Sequence, residues 1–92
     1  MLRLKRTAQF KKDVKLAKRR GKDIERLMNV IRLLVSQSEM PHELRDHELV
    51  GSFKGHRECH IEPDWLLIYR VERDELICTA VRTGTHSDLF GK

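Results

Sequence analysis

Four of the chain's five histidines fall between His47 and His86, and histidine is the side chain best suited to gain and lose protons near neutral pH. Side chains alternate along an extended segment, so His56, Glu58, His60 and Glu62 are expected to share one face of a strand. That face is too polar to pack on helices, which predicts the solvent side of a sheet. His60 also lies four residues before Asp64, in the turn that Pro63-Asp64 predicts. A second cluster runs Arg82-Thr83-Gly84-Thr85-His86-Ser87-Asp88-Leu89-Phe90. An arginine and a histidine flanking a glycine bend, followed by an aromatic ring, have the parts to clamp a phosphate, donate a proton and stack a base. Each cluster also has a plainer reading: solvated surface histidines, and Leu89 and Phe90 docking the chain's end on the core.

The elements that must position these groups follow from pattern and length. Ninety-two residues of 10.9 kDa make a single domain, residues 1–92. Leu2 to Arg6 reads as a short strand ending at Thr7, a good helix cap. Phe10, Val14 and Ala17 then recur at helical spacing, and Gly21 stops the helix. Asp23 opens a second helix with Ile24, Leu27, Met28, Ile31, Leu34 and Val35 on one face. The joint between the two is short enough to require an antiparallel hairpin. Met40 to His47 is expected as a loop, and Glu48 to Phe53 and His56 to Glu62 as strands. Trp65 to Val71 is apolar on both faces, as in a central strand. Glu75 to Arg82 forms another strand, followed by a bend at Thr83-Gly84-Thr85 and a short helical turn. The order implies an α+β fold: an N-terminal strand and an αα-hairpin packed on one face of a mostly antiparallel four- to five-stranded sheet.

Charge is distributed unevenly. Lys plus Arg number 19 and Asp plus Glu 14, for a net +5. Residues 1–22 carry ten basic groups against Asp13 alone, a local +9, whereas the remainder sums to −4. Such a segment suits a phosphate surface or an acidic partner. No apolar run reaches the roughly 20 residues of a membrane span and no signal peptide is apparent, which points to a soluble, intracellular protein without a membrane partner. Cys59 and Cys78 lack zinc-site spacing and read as small buried residues, so neither a metal nor another cofactor is expected.

The runs from Asp46 to Gly55, from His60 to Tyr69 and from Arg82 to Phe90, with Arg57-Glu58 between the first two, resemble the YafQ-type toxins of bacterial toxin–antitoxin systems, within the RelE/ParE superfamily. His60-Ile61-Glu62-Pro63-Asp64-Trp65 and Arg82-Thr83-Gly84-Thr85-His86 are the most specific parts. The resemblance implies a RelE-like fold and a ribosome-dependent, metal-independent endoribonuclease of the bacterial cytoplasm. Such an enzyme cuts mRNA in the ribosomal A site, meets the 70S ribosome and its rRNA, and is neutralised by a cognate antitoxin in a higher-order complex. Carried over by position, its functional set is His47, His60, Asp64, Trp65, Arg82, His86 and Phe90. Two positions depart from the family: His56 stands where a tyrosine is familiar, and Glu48 replaces a proline after His47.

Cleavage of RNA by its own 2′-OH needs a base, an acid for the leaving 5′-oxygen and a cation for the charge on phosphorus. His86 is expected as the acid, Asp64 or His60 as the base, Arg82 as the phosphate clamp and His47 as an assisting group. Trp65, Phe90, Lys54 and Arg57 are assigned to substrate binding, Trp65 with core packing as an equal alternative. A ParE-like inhibitor of DNA gyrase shares the expected fold without needing the histidines, and a non-catalytic RNA-binding module would need only the basic segment.

Overall fold

Two side-chain caps start the long helices. The Thr7 hydroxyl accepts the Phe10 N–H at 2.9 Å, a bond worth about 1 kcal/mol because it answers a donor with no partner inside the helix. Helix α1 then runs Ala8–Arg19 and buries Phe10, Asp13 and Ala17. It stops where Gly21 adopts φ 81° and Lys22 N–H returns to the Ala17 carbonyl at 3.0 Å, a left-handed cap that glycine enters without steric cost. Asp23 accepts Glu25 N–H at 3.0 Å and opens α2, Ile24–Val35, which buries Leu27, Val30, Ile31 and Leu34.

The computed structural model describes residues 1–91 and places five strands in one sheet. These are β1 (Arg3–Arg6), β2 (His47–Glu48), β3 (Arg57–Glu62), β4 (Trp65–Glu72) and β5 (Ile77–Gly84), in spatial order β1-β5-β4-β3-β2. Only β1 and β5 pair in parallel. A five-residue helix, α3 (His86–Phe90), follows β5. The α+β class expected from the sequence is therefore the one observed, with β4 central. The helical hairpin packs on the face bearing Cys59, Ile61, Trp65, Leu67, Tyr69 and Ala80.

Three local expectations are corrected. The stretch after His47 is not a strand to Phe53: β2 has two residues, and Gly51, at φ 70°, turns the chain into a 3-10 helix, Gly51–Phe53. Nor is Thr83-Gly84-Thr85 a bend, because Thr83 and Gly84 remain paired with Leu67 and Leu66 in β5. The polar face of β3 is not simply the solvent side. Central β4 also presents Leu66 and Ile68 there, and Leu89, Phe90, Phe53 and Leu49 cover them as a second apolar cluster. A bulge between His60 and Glu62 further removes Glu62 from that face. Glu62 instead meets Lys22 at 3.0 Å and Arg26 at 2.8 Å from the helical hairpin.

Candidate active site

Helix α3 begins with a reciprocal cap. The Thr85 hydroxyl accepts Asp88 N–H and the Asp88 carboxylate accepts Thr85 N–H, each at 3.0 Å. Arg20, the C-cap of α1, reaches over to Asp88 at 2.6 Å. The Arg20 hydrogen bond first, and the Thr85 N–H second, hold the Asp88 carboxyl down at about 2. Gly84 leaves room for this arrangement, since a Cβ there would lie 3.0 Å from Asp88 side-chain atoms. His86 is thereby fixed as the first residue of α3.

Asp64, in the turn between β3 and β4, meets it from the other side. Its Oδ1 accepts the His86 backbone N–H at 2.8 Å and lies 2.6 Å from His86 Nδ1. The backbone bond, then the ring bond, lowers the Asp64 carboxyl below its ordinary range. Ionised, Asp64 can only accept, so Nδ1 of His86 carries a proton and Nε2 is the nitrogen left for a substrate.

A second histidine–carboxylate group lies alongside. The β2–β3 register sets His47 opposite Glu58, with His47 Nε2 3.1 Å from Glu58 Oε2. His60 Nε2 is 4.0 Å from the same oxygen. The His60 ring sits between the other two, its centroid 6.1 Å from His47 and 5.8 Å from His86. Three imidazoles thus form a row from β2 to α3. The outer rings are about half exposed, while His60 and Glu58 retain 14% and 6% of their side-chain surface. Glu58 Oε1 and His60 Nδ1 are buried without a hydrogen-bond partner among the described residues.

Arg82 is held by α1. Its Nε and Nη2 donate to the buried Asp13 carboxylate at 2.9 and 3.0 Å, and Thr83 N–H adds a third bond at 3.1 Å. The Asp13 hydrogen bond raises the Arg82 guanidinium further above its already high value, so its charge is permanent.

Other sequence-assigned residues lie elsewhere. Trp65 is 1% exposed and its indole donates to Thr83 Oγ1 at 3.0 Å, so its ring belongs to the core and is closed to a nucleobase. Arg57 points to the face opposite Glu58 and His60, as strand alternation requires, and donates to Asp46 at 3.1 Å. Asp46 also accepts the Tyr69 hydroxyl. Exposed Lys54 lines the same groove as Arg57 and Tyr69, away from the histidine row. Phe90 is half-buried with its ring perpendicular to that of Phe53, which also meets His56 at 5.9 Å. Cys59 and Cys78 are buried free thiols, pushed up by burial to about 12 and about 11.

Two positioning groups escaped the sequence reading. Asp13 sits between Phe10 and Ala17 on the apolar stripe of α1, a helical-period signal that it would be buried and need a cation. Glu58 could be paired with His47 only through the register of a two-residue strand, which no pattern announces.

Comparisons with known proteins identify the family and the fold. Residues 2–91 match the family described as a bacterial toxin of a type II toxin–antitoxin system, YafQ. The mRNA interferase toxin YafQ of Escherichia coli K12 is 46% identical over 86 residues, covering 92% of this chain and 91% of that one. The E. coli DinJ–YafQ complex contains a chain that superposes with a TM-score of 0.89 at 41% identity, over 99% of this chain and all of the other. A metal-bound toxin from Helicobacter pylori gives a TM-score of 0.92 at 37% identity, over 98% of this chain and all of the other. The family match along nearly the whole length, on a fold that superposes closely, shows that the chain belongs to the YafQ family of type II toxin–antitoxin toxins.

Proposed function

We propose that this chain cuts mRNA in the ribosomal A site by acid–base catalysis without a metal. Its 46% identity to an mRNA interferase supports the activity class, endoribonuclease. The observation that carries the mechanism is the imidazole row with a carboxylate at each end: Asp64 on His86 at 2.6 Å and Glu58 on His47 at 3.1 Å. The two ends provide separate places to give and take a proton. His60, within the Glu58 group, takes the 2′-OH proton as the 2′-oxygen attacks phosphorus. The bond to the 5′-oxygen breaks, and His86 Nε2 protonates that leaving oxygen. The products are a 2′,3′-cyclic phosphate and a 5′-hydroxyl.

Asp64 orients His86 and stabilises its imidazolium, which favours His60 over Asp64 as the base. Arg82 uses only Nε and Nη2 on Asp13, leaving Nη1 for a phosphate oxygen. Phe90, four residues after His86 on α3, offers a partly exposed aromatic surface. Lys12, Lys15, Lys18 and Arg19 of α1 form an exposed basic patch for rRNA phosphates. A cognate antitoxin, as DinJ is for the E. coli protein, would neutralise the chain in the bacterial cytoplasm. Gyrase inhibition would leave the histidine–carboxylate row without a use.

Mapping mRNA ends with and without 70S ribosomes tests this reading. Cuts are expected only with ribosomes, and unchanged by a transition-metal chelator at constant magnesium. Equal cutting of free mRNA, or loss of cutting under the chelator, contradicts it.

A further inference from the structure

His47 faces an acceptor at each ring nitrogen. Nδ1 is 2.8 Å from the Arg45 carbonyl, which can only accept, and Nε2 is 3.1 Å from the Glu58 carboxylate. A neutral imidazole has one N–H and can answer one of them. We propose that Glu58 holds His47 as a doubly protonated imidazolium, leaving His60 as the neutral imidazole that takes the substrate's proton. Glu58 is then a positioning residue of the reaction. The part concerning His60 rests on the cleavage mechanism proposed above.

The surroundings of Glu58 leave few other sources of positive charge. It is 5% exposed, and a buried carboxylate is costly unless a cation faces it. From β4 its cross-strand partner is the apolar Ile68. From β3 itself comes His60, from β2 comes His47, and from α3 comes His86 behind the His60 ring. Arg57 and Arg82 are engaged by Asp46 and Asp13. An ionised Glu58 must therefore face an imidazolium, whereas a protonated Glu58 would donate to His47 Nε2 and leave that ring neutral. His47 is nearer than His60, 3.1 against 4.0 Å, and its half-exposed ring shares its charge with solvent. Once His47 is charged, like-charge repulsion disfavours a second proton on His60, whose ring centroid is 6.1 Å away.

A buried polar atom without a partner is rare in folded proteins, and the two such side-chain atoms among the described residues, Glu58 Oε1 and His60 Nδ1, belong to one cluster. At rest Glu58 spends one oxygen on His47. When a proton leaves the 2′-OH for His60, no bond to Glu58 breaks, and Oε2, which already faces both rings, meets the new charge from 4.0 Å.

Nitrogen-resolved NMR of the histidine rings in the full chain tests the assignment without RNA or ribosomes. At pH 7, His47 is expected to carry protons on both nitrogens and His60 on one. Glu58→Gln should remove one ring proton from His47 and leave His86 unchanged. In the ribosome assay the same variant should lose roughly 10- to 100-fold in kcat with KM unchanged. A singly protonated His47 in the wild-type chain overturns the proposal even if the variant does not fold. Unchanged His47 protonation in a folded Glu58→Gln variant overturns it too. The expected ring protons in a wild-type chain that does not cut mRNA support the His47 assignment and overturn the cleavage mechanism.

Discussion

The two faces of the sheet treat buried polar groups differently. On the helix-covered face Asp13 receives Arg82, Thr83 and Gln9, Asp46 receives Arg57 and Tyr69, and the Trp65 indole finds Thr83. On the opposite face Glu58 and His60 each keep a buried atom without a partner among the described residues. Both faces bury charge, yet one spends it on holding elements together and the other keeps it in reserve. A fully answered network rigidifies its surroundings, whereas an unanswered one costs stability unless a substrate or a proton completes it. On the proposed mechanism the proton-transfer groups lie on the side of the sheet away from the helical hairpin, while Arg82, the proposed phosphate clamp, is held by the answered Asp13 network.

Substitutions on the answered networks should act on folding first. Asp13→Asn is expected to have the largest effect, lowering unfolding free energy by about 2 kcal/mol, because it removes the partner of a guanidinium that is three-quarters buried. Urea denaturation checks this, and cleavage should fall with it as Arg82 loses its orientation. Gly84→Ala should cost about 1 kcal/mol, since the added Cβ meets Asp88 at 3.0 Å and the neighbouring cap must shift. A cleavage loss exceeding the stability loss would show that α3 transmits the shift to His86.

The smallest effect concerns acid. Asp88, held at about 2 by Arg20 and Thr85, binds a proton more weakly when folded than in the unfolded chain, where a carboxyl titrates near 3.9. Its contribution is therefore present above about 3.9 and is lost as pH falls toward 2. Unfolding curves between those limits should be flatter for Asp88→Asn than for the wild-type chain.

The helical hairpin was legible because its signals are local. Thr7 and Asp23 cap where capping residues were expected, and Phe10, Ala17, Leu27, Ile31 and Leu34 are buried on the predicted stripes. The central strand was legible from its apolar run. Less legible were features set by a partner distant in sequence. Glu62 changes face through a bulge, β2 shrinks to His47–Glu48, and Trp65 is sealed by Thr83 and the helices. Of the residues assigned to the site, His47, His60, Asp64 and His86 converge, and Arg82 is oriented by α1. Arg57 does not converge, and strand alternation alone placed it opposite His60.

His86→Ala most directly separates the two faces. Cleavage on ribosomes and unfolding free energy should be measured on the same preparation. Loss of cleavage by roughly 100-fold or more, with stability unchanged to within about 0.5 kcal/mol, is the expected result. Full cleavage by the folded variant would remove His86 from the mechanism and contradict the account.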